Sequence, residues 1–436
     1  MIPDRSEGDV NLSPLRAAWR AKLGATTQAL LDEDELYFLH QSLSTPCLDV
    51  IVAAEGPYIV DVEGRRILDF HGNSVHQLGY GHPKVVAAVK AALDALPFSP
   101  RRYTNAHAID LARKLAELAP GNLSKSLFAP NGSAAVGMAL KLARWATGRH
   151  KTLSMWDSFH GANLDALAVG GEALFRKGLG PMAPGAEHLP PLHLAKRFFG
   201  EDRPFERLAD FIDYTLEVQG DVAALIAEPT RWTTVEPAPE GFWPRVKDSC
   251  ARRGALLIFD EIPSCLARTG HMFACQGAGA TPDILVIGKG LGGGVMPMAA
   301  MISDARLEVA QATSLGHYTH EKSPLGSAAA LATLEVIQEQ GLVARARMLS
   351  ERGMTRLSEI AARRPAVTDV RSCGAYFGVE VASPEIAERA MYACLERGLS
   401  FKIGGGDVLT LCPPLTIPEA DFDRAFAILD EALGAI

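Results

Sequence analysis

Residues 254–261 read GALLIFDE, an apolar run that ends in two acids. VAALIAEP at 222–229 and PDILVIGKG at 282–290 are built the same way. Each run has the length of a strand, shows no polar alternation and breaks into a charged or small polar residue. A strand that is apolar at every position is covered on both faces, which is the condition of a parallel sheet flanked by helices. The surrounding chain supplies those helices. HPKVVAAVKAALDAL (82–96) and IDLARKLAEL (109–118) carry helical spacing, and SLFAP (126–130) reads as a short strand leading into the helix GSAAVGMALKLARWATG (132–148). Ligands of such sheets gather at the carboxyl ends of the strands, where Glu228, Asp260 and Lys289 fall.

Outside about 79–319 the pattern changes. The first sixty or so residues read as peripheral, with one short helix around 15–23 and another near 30–40. GPYIVDVEGRRILDF (56–70) alternates apolar and polar residues about the turn signal Glu63-Gly64, as two paired strands do. A long helix over about 323–340 leads into a C-terminal portion with its own strands and helices, ending in DFDRAFAILDEAL (421–433). The expected organisation is an N-terminal segment, 1–70, that joins a small α+β domain, a large α/β domain over 71–322, and a linking helix plus the rest of the small domain over 323–436. No internal repeat is evident.

The chain of 436 residues is 48% hydrophobic and 22% charged, the balance of a globular protein with a sizeable core. A net charge of -8 leaves no excess of Lys and Arg to neutralise phosphates along a nucleic acid. The seven cysteines are scattered and never paired as C-x-x-C, so neither a disulfide framework nor a metal site is expected. The N-terminus, MIPDRSEGDV, is acidic where a signal peptide is basic and then apolar, and no apolar run has the length of a membrane span. A soluble cytoplasmic protein is the expectation.

Asp260 and Lys289 lie 29 residues apart at the ends of two of the apolar runs. A lysine forms an imine with an aldehyde only as the neutral amine, and a cationic neighbourhood lowers its pKa to that end. A buried carboxylate facing a pyridine nitrogen keeps that nitrogen protonated and makes the ring an electron sink. Alone, a strand-end Asp is more often structural. Gly132 and Ser133, after Asn131, open a helix whose first N–H groups suit a phosphate, although an ordinary Asn cap explains the same residues. Phe159, in SMWDSFHGAN, could stack on a pyridine ring or belong to the core. The case rests on the ordered set.

That set resembles the class III aminotransferases, fold type I enzymes with pyridoxal phosphate (PLP). The resemblance runs through GPYIVDVEGRRILDF, GYGHP, NGSAA with KLAR and TGR, FHG, AEP, GALLIFDE with RTG, IGKGLGGG, YTHEKSPLGSAAALATLEVI and LCPPLTI, nearly the whole chain. It implies that Lys289 forms the Schiff base and that Asp260 pairs with the pyridinium. It further implies that Gly132 and Ser133 hold the phosphate while Phe159 and Ile262 cover the two ring faces. Thr319 would reach the phosphate of a neighbouring subunit's cofactor, implying a homodimer with composite sites.

Several positions depart from the family pattern. The helix start reads Asn131-Gly132-Ser133-Ala134-Ala135, without the usual acid. After Ile262, where a Gln commonly reaches the cofactor's phenolic oxygen, stands Pro263, which has no side-chain donor. Thr410 occupies the place of the Arg that forks onto a substrate carboxylate. Thr230-Arg231 replaces a common Gln-Gly, so Arg231 either meets a substrate anion or forms a structural ion pair. Arg101, Arg102 and Lys402 are further cations, each more simply read as a solvated charge. The resemblance implies transamination between a small amine or amino acid and a keto acid or aldehyde. The alternatives are a lyase that eliminates ammonia or phosphate from an amino phosphonate or phosphorylated amino alcohol, and an aminomutase. A catalytically silent relative is disfavoured by the retention of Lys289 and Asp260.

Overall fold

Apolar runs long enough to be covered twice do form the central sheet. In the computed structural model, which describes residues 13–41 and 45–436, seven strands lie in the spatial order Leu123–Ala129, Ala299–Asp304, Ile284–Ile287, Leu256–Asp260, Val222–Ala227, Lys151–Met155 and Ala186–Leu189. Ala299–Asp304 is antiparallel to both of its neighbours, and the remaining pairings are parallel. Every residue of Val222–Ala227, Leu256–Asp260 and Ile284–Ile287 is buried. This matches the double cover that their unbroken apolar character requires. The N-terminal MIPDRSEGDV lies outside the described residues.

The sheet belongs to the larger of two compact units, made of Pro83–Trp232 and Glu236–Ala344. The expected helices appear in it as Pro83–Ala95, Ala106–Leu118 and Gly132–Thr147. Gly132–Thr147 buries Val136, Met138, Leu140 and Leu142 in a core shared with Ile226, Ile258 and Val286 of the strands. Pro324–Glu339 is capped by Ser323 Oγ, which accepts from Gly326 N at 3.1 Å, and it packs on Pro83–Ala95 and Ala106–Leu118.

The second unit gathers the chain up to His82, Thr233–Val235 and Arg345–Ile436. Its hairpin Tyr58–Asp61 with Arg66–Asp69 is the one the Glu63-Gly64 turn predicts, extended by Ile51–Glu55 and by Leu399–Ser400. A second sheet orders Val367–Ser372, Phe377–Val381, Val408–Leu411 and Lys402–Gly404. The unit boundaries, after His82 and after Ala344, differ from the expected 70 and 322 for a physical reason. Residues 71–82 bond within this unit, with Leu415 N donating to Gln77 O at 2.7 Å and Tyr80 N to Gly56 O at 2.8 Å, while Pro324–Glu339 packs within the larger unit. All seven cysteines are free thiols. Among the described residues no helix is long and apolar enough to cross a membrane, and no cluster of His, Cys, Asp and Glu is arranged to hold a metal.

One close approach fixes how the chain passes the end of strand Lys151–Met155. A Cβ on Gly171 would sit 2.4 Å from Met155 O, 2.5 Å from Trp156 Cα and 2.6 Å from Asp157 N, all of them backbone atoms. No side chain is there to swing away. Gly171→Ala is therefore expected to destabilise the fold by about 2 kcal/mol or more, read as a lower urea midpoint. An unchanged midpoint would show that the two segments separate at little cost.

Candidate active site

The carboxyl ends of the parallel strands bring together residues that are far apart in sequence. Asp260 ends Leu256–Asp260 with its side chain buried. Its Oδ1 accepts from Ile262 N at 3.0 Å, and its Oδ2 lies 2.8 Å from His160 Nδ1. His160 is fully buried, and its other ring nitrogen, Nε2, has no hydrogen-bond partner. The Nδ1 contact fixes the orientation of the imidazole against the carboxylate.

Asn131 caps Gly132–Thr147, its Oδ1 accepting from Ala134 N at 2.9 Å. The first N–H groups of a helix have no intrahelical partner, so Gly132 and Ser133 offer donors at the positive end of a 16-residue helix. Ser133 Oγ accepts from Ala162 N at 3.1 Å, and a Cβ on Gly161 would meet that Oγ at 2.2 Å. Gly161 has φ +128, so both its backbone and its space exclude a side chain. Ile262 lies against Gly132 and Gly288: an added Cβ would meet its side chain at 2.5 Å from Gly132 and 3.4 Å from Gly288. Lys289 follows Gly288 in the left-handed region, φ +45. Unbroken contacts thus run from Ser133 through residues 160–162 to Asp260, and through Ile262 to Gly132 and the backbone beside Lys289.

Phe159 packs its ring on Phe175, centroids 4.6 Å apart, and its N–H donates to Glu228 Oε1 across 3.4 Å. Arg231 is not an open cation. Its Nη1 donates to Glu228 Oε1 at 2.6 Å and its Nη2 to Glu172 Oε1, with all three side chains largely buried. Of the two sequence readings of Arg231, the structure displays the ion pair. Thr319 is exposed in a turn. Arg101 faces Glu321 at 4.0 Å, and Arg102 is exposed. In the second unit Thr410 is buried and its Oγ1 donates to Lys402 O at 2.9 Å, so its hydroxyl ties two strands together. Sequence reasoning missed His160, Glu172 and Glu261. The FHG and FDE motifs contained two of them, but nothing in the sequence announced that Glu172 meets Arg231 across 59 residues.

The family model for "Aminotransferase class-III" matches residues 40–433. An (R)-1-hydroxy-2-aminoethylphosphonate ammonia-lyase of Vibrio splendidus is 44% identical, over 99% of this chain and 95% of its own. An acetylornithine aminotransferase of Methanopyrus kandleri is 36% identical over 88% of this chain and 94% of its own. An amine transaminase from an uncultivated Pseudomonas species, solved in its PLP-bound form, superposes with a TM-score of 0.85 at 27% identity, covering 92% of this chain and 98% of that one. Fold and relatives define a fold type I enzyme whose cofactor is pyridoxal phosphate. The chain belongs to the class III aminotransferases. Both reactions foreseen from the sequence, amino transfer and elimination of ammonia, occur among these relatives. The donor set fits the cofactor: a buried carboxylate, a lysine between glycines, and a helix start kept free of side chains by Gly132 and Gly161.

Glu261, beside Asp260, is fully buried and accepts from Ala274 N at 2.5 Å and Cys275 N at 2.7 Å. Burial pushes its carboxyl up to about 7, against the opposing pull of those N–H bonds. The unfolded chain loses this proton near 4.5, whereas the folded chain holds it to about 7. The stabilising contribution is complete below 4.5 and is lost as pH rises through about 7. Glu261→Gln cannot ionise, so the decline in its urea stability over this window should be shallower by about 3 kcal/mol. Parallel pH profiles for the two proteins would assign the decline to other groups.

Proposed function

We propose that this chain is a PLP-dependent ammonia-lyase acting on a small primary amine whose neighbouring carbon carries a hydroxyl and a phosphonate. The observation that carries the reading is the end-to-end 44% identity with the Vibrio splendidus lyase. Thr410 supports it, since its hydroxyl is committed to Lys402 O and no guanidinium stands at that place to fork onto an α-carboxylate. Overall, the substrate becomes a phosphonate-bearing aldehyde plus ammonia, and the water lost in elimination is returned in hydrolysis. Amino transfer to a carbonyl acceptor is the second reading, supported by the acetylornithine aminotransferase and amine transaminase relatives.

Pyridoxal phosphate supplies an aldehyde that condenses with amines and a protonated ring that draws electrons. In this reading the Lys289 amine would hold that aldehyde, and the same amine would be the base for the proton on the amine-bearing carbon. Asp260 keeps the ring nitrogen protonated, and the N–H of Ile262 and the ring of His160 hold its carboxylate in place. Gly132 and Ser133 would donate to the phosphate, and Phe159 and Ile262 would cover the ring faces. Thr319, being exposed, is assigned to the phosphate site of a neighbouring copy, which makes the working form a homodimer. A cytoplasmic location is part of the same proposal.

Incubating the holoenzyme with 1-hydroxy-2-aminoethylphosphonate and no keto acceptor separates the two reactions. A lyase restores its cofactor each cycle and releases ammonia continuously. A transaminase stops after one equivalent, in the pyridoxamine form, until a keto acid is added, and that outcome would replace the first reading with the second. Lys289→Ala should fold, lose borohydride-fixable cofactor and lose turnover by roughly a thousandfold or more. Retention of both properties would remove Lys289 from its role.

A further inference from the structure

Arg231 stands on the two-residue strand Thr230–Arg231, just beyond Val222–Ala227, and reaches two carboxylates on separate segments. Glu228 Oε1 also receives the N–H of Phe159, at 3.4 Å, and Glu228 Oε2 receives Trp232 N at 2.9 Å. Glu172 directly precedes the turn Ala173–Phe175, whose Phe175 ring lies on Phe159. The two segments are also joined by backbone. Ser158 O accepts from Gly171 N at 2.7 Å and from Glu172 N at 3.3 Å.

The guanidinium therefore ties together both stretches that carry the aromatic pair. One carboxylate sits on the backbone of Phe159, and the other stands three residues before Phe175. Planar, two-sided donation is what lets one residue hold two carboxylates at once, and an ammonium lacks that fork. With two carboxylates already bound, both arms of the guanidinium fork are engaged by the protein's own acids. Removing the guanidinium would weaken the hold on both buried carboxylates, a loss relieved by protonation or by the segments moving apart.

The geometry points to Arg231 as a positioning residue, which acts through Glu228 and Glu172 to set the plane of Phe159 against the cofactor ring. This rests on the assignment of Phe159 to a ring face made above. The positioning role predicts weaker cofactor retention, separate from any effect on substrate. Arg231 is not a substrate anchor in this account.

The test measures PLP dissociation from reconstituted holoenzyme for Phe159→Ala, Arg231→Gln and Arg231→Lys, alongside thermal midpoints and KM for the amine. Arg231→Gln should raise the PLP Kd about tenfold and shift the cofactor's visible band, with KM for the amine changing much less. Arg231→Lys should recover part of the loss. If Arg231→Gln lowers only the thermal midpoint, leaving Kd and spectrum as in the parent, the residue is merely structural and the inference fails. Unchanged PLP retention with lost saturation by the phosphonate would make Arg231 a substrate anchor, which also overturns it. If Phe159→Ala retains PLP normally, the ring-face assignment itself fails and the inference falls with it. Should Arg231→Gln not fold, Glu172→Gln tests the same tie, with a smaller rise in Kd expected and an unchanged Kd counting against the role.

Discussion

Strands buried on both faces leave polar side chains one place to go. Val222–Ala227, Leu256–Asp260 and Ile284–Ile287 carry no polar side chain before the terminal Asp260, and their parallel direction brings their carboxyl ends to one edge. Glu228, Asp260 and Lys289 stand where the apolar runs stop. The site is thus a consequence of the sheet's cover, and the burial that drives folding also concentrates the reactive groups.

That logic explains how much was legible in the sequence. Strands of unbroken apolar character and the capped helix after Asn131 have local causes, and the hairpin about Glu63-Gly64 has a local turn signal, so each appeared where its residues placed it. Asp260 and Lys289 were legible because their motifs lie at strand ends. The partners of Arg231 were not. Whether that guanidinium meets a substrate or a protein carboxylate depends on the course of residues 170–175 over the strand ends, which no local pattern encodes. The fate of the Thr410 hydroxyl likewise depends on the register of Lys402–Gly404 against Val408–Leu411. The edge of the compact unit at His82 has a similar origin, since Gln77 and Tyr80 are held by hydrogen bonds to distant chain.

The same fold supports more than one outcome for the nitrogen, and the difference lies in what surrounds a shared centre. His160, Asp260 and Ile262 form one hydrogen-bonded network at the strand end, and the relatives of this chain include both a lyase and aminotransferases. Fold alone therefore does not decide the reaction.

Lys289 carries a cost that its neighbours do not. At φ +45 it adopts a backbone conformation that glycine takes freely and a side-chain-bearing residue takes at about 1 kcal/mol. Gly288 and Gly290 on either side show how readily the segment accommodates glycine. A glycine at 289 would relieve the strain and abolish the proposed imine together. Thermodynamic stability and chemistry thus select opposite residues at this one position, so random drift toward a sturdier fold would, here, lead away from function.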